Sequence, residues 1–161
     1  MDDAAVRELV QRKLLGWGLV CEETLPPGTD IGRDLVFGPA DANGNADFAR
    51  VEGIENLGQS LTIALTTLLG SDVFNTSFGW DGLNALAMET NPVLVRERVR
   101  VAVIQLLRLD PRVRRITDVN VAGGGYEVPA AGSRELNVTV AFETVAQDQT
   151  TLNLGKVVAG G

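Results

Sequence analysis

The side chains best equipped for chemistry in this chain are charged ones, because the sequence contains no histidine. That absence removes the commonest general base, the Ser-His and Cys-His nucleophile pairs and the commonest metal ligand. Three constellations remain. The first is the tripeptide Asp110-Pro111-Arg112 with Arg114 just beyond it. Proline withholds the donor that a continuing helix needs, so an arginine placed directly after it is well held for bidentate pairing with a partner carboxylate, the alternatives being an intramolecular cap or a solvated surface charge. The second is Asp41, Asn43, Asn45, Asp47 and Glu52, which track positions one, three, five, seven and twelve of a calcium loop, with Phe48 where an apolar residue belongs. Ala46 stands where that loop needs glycine, Pro39 opposes an entering helix and Gly53 weakens an exiting one, so a solvated Asn-Gly turn is the better reading and no metal is assigned. The third is a carboxylate pair for glycoside hydrolysis, Glu52 with Glu55 or Asp47. Twenty-one acidic residues make such pairs easy to find by accident, and no catalytic residue is assigned.

Seven of the 14 basic residues fall between Arg96 and Arg115: Arg96, Arg98, Arg100, Arg108, Arg112, Arg114 and Arg115. Helical geometry puts several of them on different faces, and Glu97 and Asp110 interrupt the field, so a solvated face and a docking corner are expected in place of a nucleic-acid surface. Phe74, Phe78 and Trp80 lack the interleaved Lys or Arg of a single-strand stacking platform and read as core or interface anchors. The three glycines from Gly123 lack the strand-to-helix context of a phosphate cradle.

The element that positions the corner is a helix. Val95, Val99, Ala102, Val103, Leu106 and Leu107 recur at steps of three and four, Asn91 can cap, and Pro92 suits the first turn. After Pro111 the period changes to two, with Val113, Thr117, Val119 and Val121 on one face of a strand. Leu136, Val138, Val140 and Phe142 alternate with polar residues as a half-buried antiparallel strand does, and Leu152 and Leu154 continue the pattern in what would be an edge strand. Leu57, Leu61, Ala64, Leu65 and Leu68 form a second helical stripe with Asn56 as its cap and Gly70 as its end. At the N-terminus, Val6, Leu9, Val10 and Leu14 predict an amphipathic helix closed by Gly16, with Trp17 beside its end. Its stripe either covers one side of the core or docks on a partner subunit. Between Leu25 and Gly53 the chain is turn-rich, with an extended segment around Leu35. A short helical piece is expected in the sequence LNALAME that precedes the cap at Asn91.

These elements predict an α+β fold, amphipathic helices packed on a small antiparallel sheet with a C-terminal β-hairpin or arm. A chain of 161 residues is most simply one domain and buries about 70% of its unfolded surface. A lone Cys21 permits no intrachain disulfide, and neither a signal-like segment nor a run of about 18 apolar residues is present, so synthesis in the cytosol is expected. A net charge of −7 opposes generic binding to nucleic acid or anionic membrane.

The order Asn56-Leu57-Gly58-Gln59-Ser60-Leu61, Leu65-Thr66-Thr67-Leu68-Leu69-Gly70, Phe78-Gly79, a long helix, Asp110-Pro111-Arg112 and a β C-terminus resembles the baseplate wedge and sheath-initiator family of contractile tails. That family includes the gpW-like subunits of contractile phages and the small baseplate subunits of type VI secretion and extracellular injection systems. The resemblance covers residues 30–157, and Asp110 stands where the family pattern has glutamate. It implies a non-enzymatic assembly role without a cofactor, in a phage tail or contractile injection particle. Residues 1–24 would be a helical extension, and residues 25–161 a wedge domain with a β arm from about residue 147. Asp110, Pro111, Arg112 and Arg114 would dock on larger baseplate wedge proteins, and Leu152 and Leu154 would lie in the strand to which sheath subunits add. Tube or hub proteins are further candidate partners, whereas nucleic acid and membrane are not. A lysozyme-like cell-wall hydrolase is the alternative.

Overall fold

The computed structural model describes residues 3–23, 33–82, 91–123 and 134–159. The turn at Pro26-Pro27-Gly28, the expected helical piece at 83–89 and the glycine-rich stretch after Gly123 lie outside them. The fold is α+β, as the patterning predicts, and the chain divides into two units, Met1–Gln59 and Ser60–Gly161.

In the first unit, helix α1 spans Asp3–Leu15, with Asp3 in its first turn and Arg12 and Lys13 in its last, charges that suit the helix dipole. Gly16 ends it at φ +76, where its amide donates to the Arg12 carbonyl at 3.2 Å. The chain then forms two three-residue strands, β1 (Trp17–Leu19) and β2 (Cys21–Glu23), on either side of Val20. β2 pairs antiparallel with β3 (Arg33–Leu35), and β1 with β4 (Arg50–Glu52). Val20 joins the two ladders: its amide donates to the Ala49 carbonyl, its carbonyl accepts from Val36, and the Ala49 amide donates to the Val36 carbonyl. Residues 17–23, expected within a helical extension, are therefore strands tied to residues 33–52.

The acidic stretch between β3 and β4 is a hairpin loop and not a helix-flanked calcium loop. The Asp41 carboxylate accepts from the Asn43 and Asn45 amides at 2.8 and 2.9 Å, Gly44 turns at φ +82, and Phe37 bridges to Phe48. Those amides hold the Asp41 carboxyl below its usual range.

The second helix, α2 (Gly53–Thr66), starts earlier than the Asn56 cap predicts. Asn56 is instead buried inside it, and its Nδ2 donates to the carbonyl of Leu15 at 3.1 Å, satisfying an orphan group at the end of α1. One turn on, Gln59 accepts from the Cys21 amide at 2.9 Å and donates to the Leu19 carbonyl at 2.7 Å. Asn56 thus holds the end of α1, and Gln59 holds the strands. The apolar stripe of α1 behaves differently from its core-covering expectation: Val6, Leu9, Val10 and Leu14 are all exposed, and Leu15 is the buried side chain of that helix. The rotation follows from polar contacts, with Arg12 paired to Glu52 at 2.7 Å and Gln11 set close to Gly53.

In the second unit, Gly70 at φ +80 breaks the chain beyond α2, and Trp80 returns to pair with residues 67–69. Gly79 has no substitute at the crossing: φ is +99, and a Cβ there would lie 2.6 Å from the Thr67 carbonyl oxygen. Trp80 is buried in the core, whereas Phe74 is 98% exposed on a turn whose amides at 74 and 75 donate to the Asp72 carboxylate. Helix α3 spans Pro92–Leu109, and Asn91 Oδ1 accepts from the Val93 amide at 2.9 Å as the cap predicts. It buries Val95, Val99, Val103, Leu106 and Leu107 and packs against β5.

Strands β5 (Val113–Gly123), β6 (Arg134–Thr144) and β7 (Gln149–Ala159) form one antiparallel sheet in that order. The central strand buries Leu136, Val138, Val140 and Phe142. Register shifts at Arg114 and Thr117 break the simple period of β5, which leaves Thr117 exposed where strict alternation would bury it.

Candidate functional site

The corner between α3 and β5 is a closed electrostatic unit. Leu109 is the last helical residue, and the extended Asp110 still donates its amide to Leu107 while its carbonyl accepts from Val113 at 3.1 Å. Pro111 between them prevents a further helical turn. One Asp110 oxygen accepts from the Arg112 amide and from Nε, each at 2.9 Å, and the other from Nη2 at 2.6 Å. The carboxylate that Arg112 engages is therefore in its own tripeptide and not, as expected, a partner's, in the fork geometry that favours arginine over lysine. Burial alone would push the Asp110 carboxyl up, but the Arg112 side chain and amide outweigh it and hold the group below its usual range.

A second set of bonds fixes the corner to the turn that starts β7. The Arg112 carbonyl accepts from the Val145 amide at 3.0 Å, and Val113 pairs with Thr144. Thr144 is fully buried, and its hydroxyl accepts from the amides of Ala146 and Asp148, while Gln147 takes φ +66 to reverse the chain. Asp110, Pro111, Arg112 and the first residue of β7 thus lie at one end of one sheet. Arg114, in a register shift, pairs across the strand with Glu143 at 3.1 Å.

β7 itself corrects the expectation of an arm reaching from the domain. Its residues Gln149–Ala159 pair along β6, Leu152 lies opposite Val140, and Leu154 is only 2% exposed. Among the described residues β7 bonds within the sheet to β6 alone, which places it at an edge, as the alternation predicts.

The remaining constellations are dispersed. Among the arginines, Arg96 donates to the Gly123 carbonyl at 3.3 Å, Arg100 lies 3.9 Å from Glu97, and Arg112 and Arg114 face Asp110 and Glu143. The carboxylates weighed for hydrolysis stand on separate elements: Glu52 on β4 is taken by Arg12, Asp47 accepts from the Phe48 amide, and Glu55 is exposed on α2. Among the described residues no group of three or more His, Cys, Asp or Glu side chains could hold a metal ion. No helix among them is long and apolar enough to cross a membrane. Sequence reasoning missed the structural work of Asn56 and Gln59; their spacing of three places them on one face of α2, which was the available signal.

No protein-family model matches the chain, and no curated protein matches it.

Proposed function

We propose that this chain is a structural baseplate wedge component of a contractile injection machine or phage tail, one that docks on larger wedge subunits and templates sheath polymerisation. The observation that carries the reading is β7, an eleven-residue strand bonded within its sheet, among the described residues, to β6 alone. An edge of that length offers main-chain donors and acceptors to a strand from another subunit, and alternating side chains fix the register of what adds. The Asp110-Pro111-Arg112 corner supports the docking half. Arg112 is held in one orientation beside the turn that starts β7, so a contact at the corner fixes the direction of the edge strand. The motif order from Asn56 to Arg112 is the link to the family.

Prolines in β7 test the reading. Amides alternate in direction along a strand, so of Thr150→Pro and Thr151→Pro one breaks the pairing with β6 and the other removes a donor only from the outer edge. The edge-only variant, recognised by its unchanged circular dichroism and melting, is expected to enter baseplates made with the cognate wedge and sheath proteins and to leave them without sheath in electron micrographs. Sheathed particles carrying that variant would overturn the templating role.

A further inference from the structure

The first unit carries an exposed aromatic face that neither the corner nor β7 involves. Residues two apart on a strand share a face, and paired residues share it too. The registers Trp17 to Glu52, Leu19 to Arg50, Cys21 to Leu35 and Phe37 to Phe48 therefore gather Trp17, Leu35, Phe37, Phe48 and Arg50 on one side. The opposite side holds Gly18, Val20, Val36, Ala49 and Val51, none of them exposed, with the exposed Glu22 and Asp34 pair at its end, and Gly18 lies against Asn56 of α2. The covered part of that side is thus made of small and β-branched residues, and the large rings lie on the other side. Trp17 is 59% exposed, Phe37 62% and Leu35 46%.

These rings are fixed in place. Phe37 and Phe48 stack with centroids 4.7 Å apart and planes 20° from parallel, and the Arg50 guanidinium lies 5.0 Å from the centre of the Trp17 ring. Trp and Arg are the side chains most enriched among those that dominate binding energy, and holding them rigid lowers the ordering cost of association. The charges select the partner. Glu52, the acid nearest Arg50 in sequence, is engaged by Arg12, and Arg50 has no carboxylate partner among the described residues. Asp41 and Asp47 in the adjoining hairpin loop and the net charge of −7 strongly oppose a polyphosphate, whereas a single carboxylate set among apolar side chains brings far less negative charge into that field and gains the contact with Arg50.

We propose that this face docks a protein segment that places a carboxylate against Arg50 and apolar side chains over Trp17 and Phe37. The test uses the full chain and three fluorescein-labelled synthetic peptides read by anisotropy: a leucine-glutamate peptide, its leucine-lysine counterpart and a serine-glutamate control. The leucine-glutamate peptide is expected to bind and the other two to bind at least about tenfold more weakly, the scale set by losing one dominant side chain. Trp17→Ala and Phe37→Ala should each weaken it by a similar factor, and Arg50→Glu should reverse the preference toward the lysine peptide. Circular dichroism of each variant establishes that the fold is intact; all three side chains are exposed, so unfolding of all three would itself contradict the surface assignment. Equal binding of both leucine peptides, no binding, or binding indifferent to these variants would overturn the proposal. So would tighter binding of an oligothymidine, which would make the face a nucleic-acid site, or concentration-dependent dimerisation in sedimentation abolished by Trp17→Ala, which would make the occupant a second copy of the chain.

Discussion

At the scale of single residues, the ion pair in the Asp110-Pro111-Arg112 corner links local geometry to measurable stability. Both side chains are more than three-quarters buried, so the pair is screened less than a surface bridge, and removing one member strands the other. Asp110→Asn is expected to cost about 1 to 3 kcal/mol at neutral pH, the range for leaving a buried polar partner unsatisfied. The pH dependence has a definite sign. A carboxyl whose folded value is depressed contributes stability above its unfolded value, about 3.9, and that contribution fades as pH falls through the lower folded value. Urea titrations at pH 7 and pH 3 should therefore show wild type and Asp110→Asn converging in acid. A gap of the same size at both values would mean that the carboxylate charge is not what the corner uses. The sequence shows the pairing chemistry of Arg112 but not its partner. A two-residue separation across proline reads as a turn, and only the extended backbone at Asp110 brings the carboxylate round to the guanidinium.

At the scale of elements, legibility followed the strength of the repeating pattern. α3 and the three long strands announce themselves by periods of 3.6 and two, and Asn91 caps as its type suggests. The strands β1 to β4 have three residues each, too few for any period to register, and their pairing is decided by contacts up to 35 residues away. α1 was legible as a helix and illegible in orientation, because its rotation is set by Arg12, Gln11 and Leu15 and not by its apolar stripe. Asn56 misled in an instructive way. Its residue type is a common cap, and it does satisfy a helix end, but the end belongs to α1 and is reached from inside α2. Asn56→Leu keeps the branched outline of the side chain and removes its hydrogen bonds, the one to the Leu15 carbonyl among them, at an expected cost of about 1 to 3 kcal/mol. Hydrogen exchange should show faster opening in the last turn of α1 and in β1. Unchanged protection there would mean that the bond holds neither element.

At the scale of the whole chain, β7 serves two ends that pull against each other. As an edge it must stay available for a strand from another subunit, and as part of its own sheet it must stay paired with β6. The burial decides how far it can be dispensed with. Leu154 is 2% exposed, Leu152 lies opposite Val140, and Thr150 opposite Phe142, so the strand covers the β6 residues that form the centre of the sheet core. Removing residues 149–161 is therefore expected to strip one side from β6 and expose the edge of a highly apolar strand, the pattern that promotes aggregation. An assembly-competent protein that merely fails at sheath addition is not the expected product. The net charge of −7 keeps intact molecules apart in solution but does not replace the missing ladder. Expression of the truncation should give mainly insoluble protein, and its soluble fraction should bind the dye ANS and melt without a cooperative transition. A soluble truncation with a cooperative melt and native-like circular dichroism would show that β7 contributes little to the sheet. The strand would then be an arm available in full to a neighbouring subunit, and deletion, not edge-directed proline, would become the cleaner probe of templating.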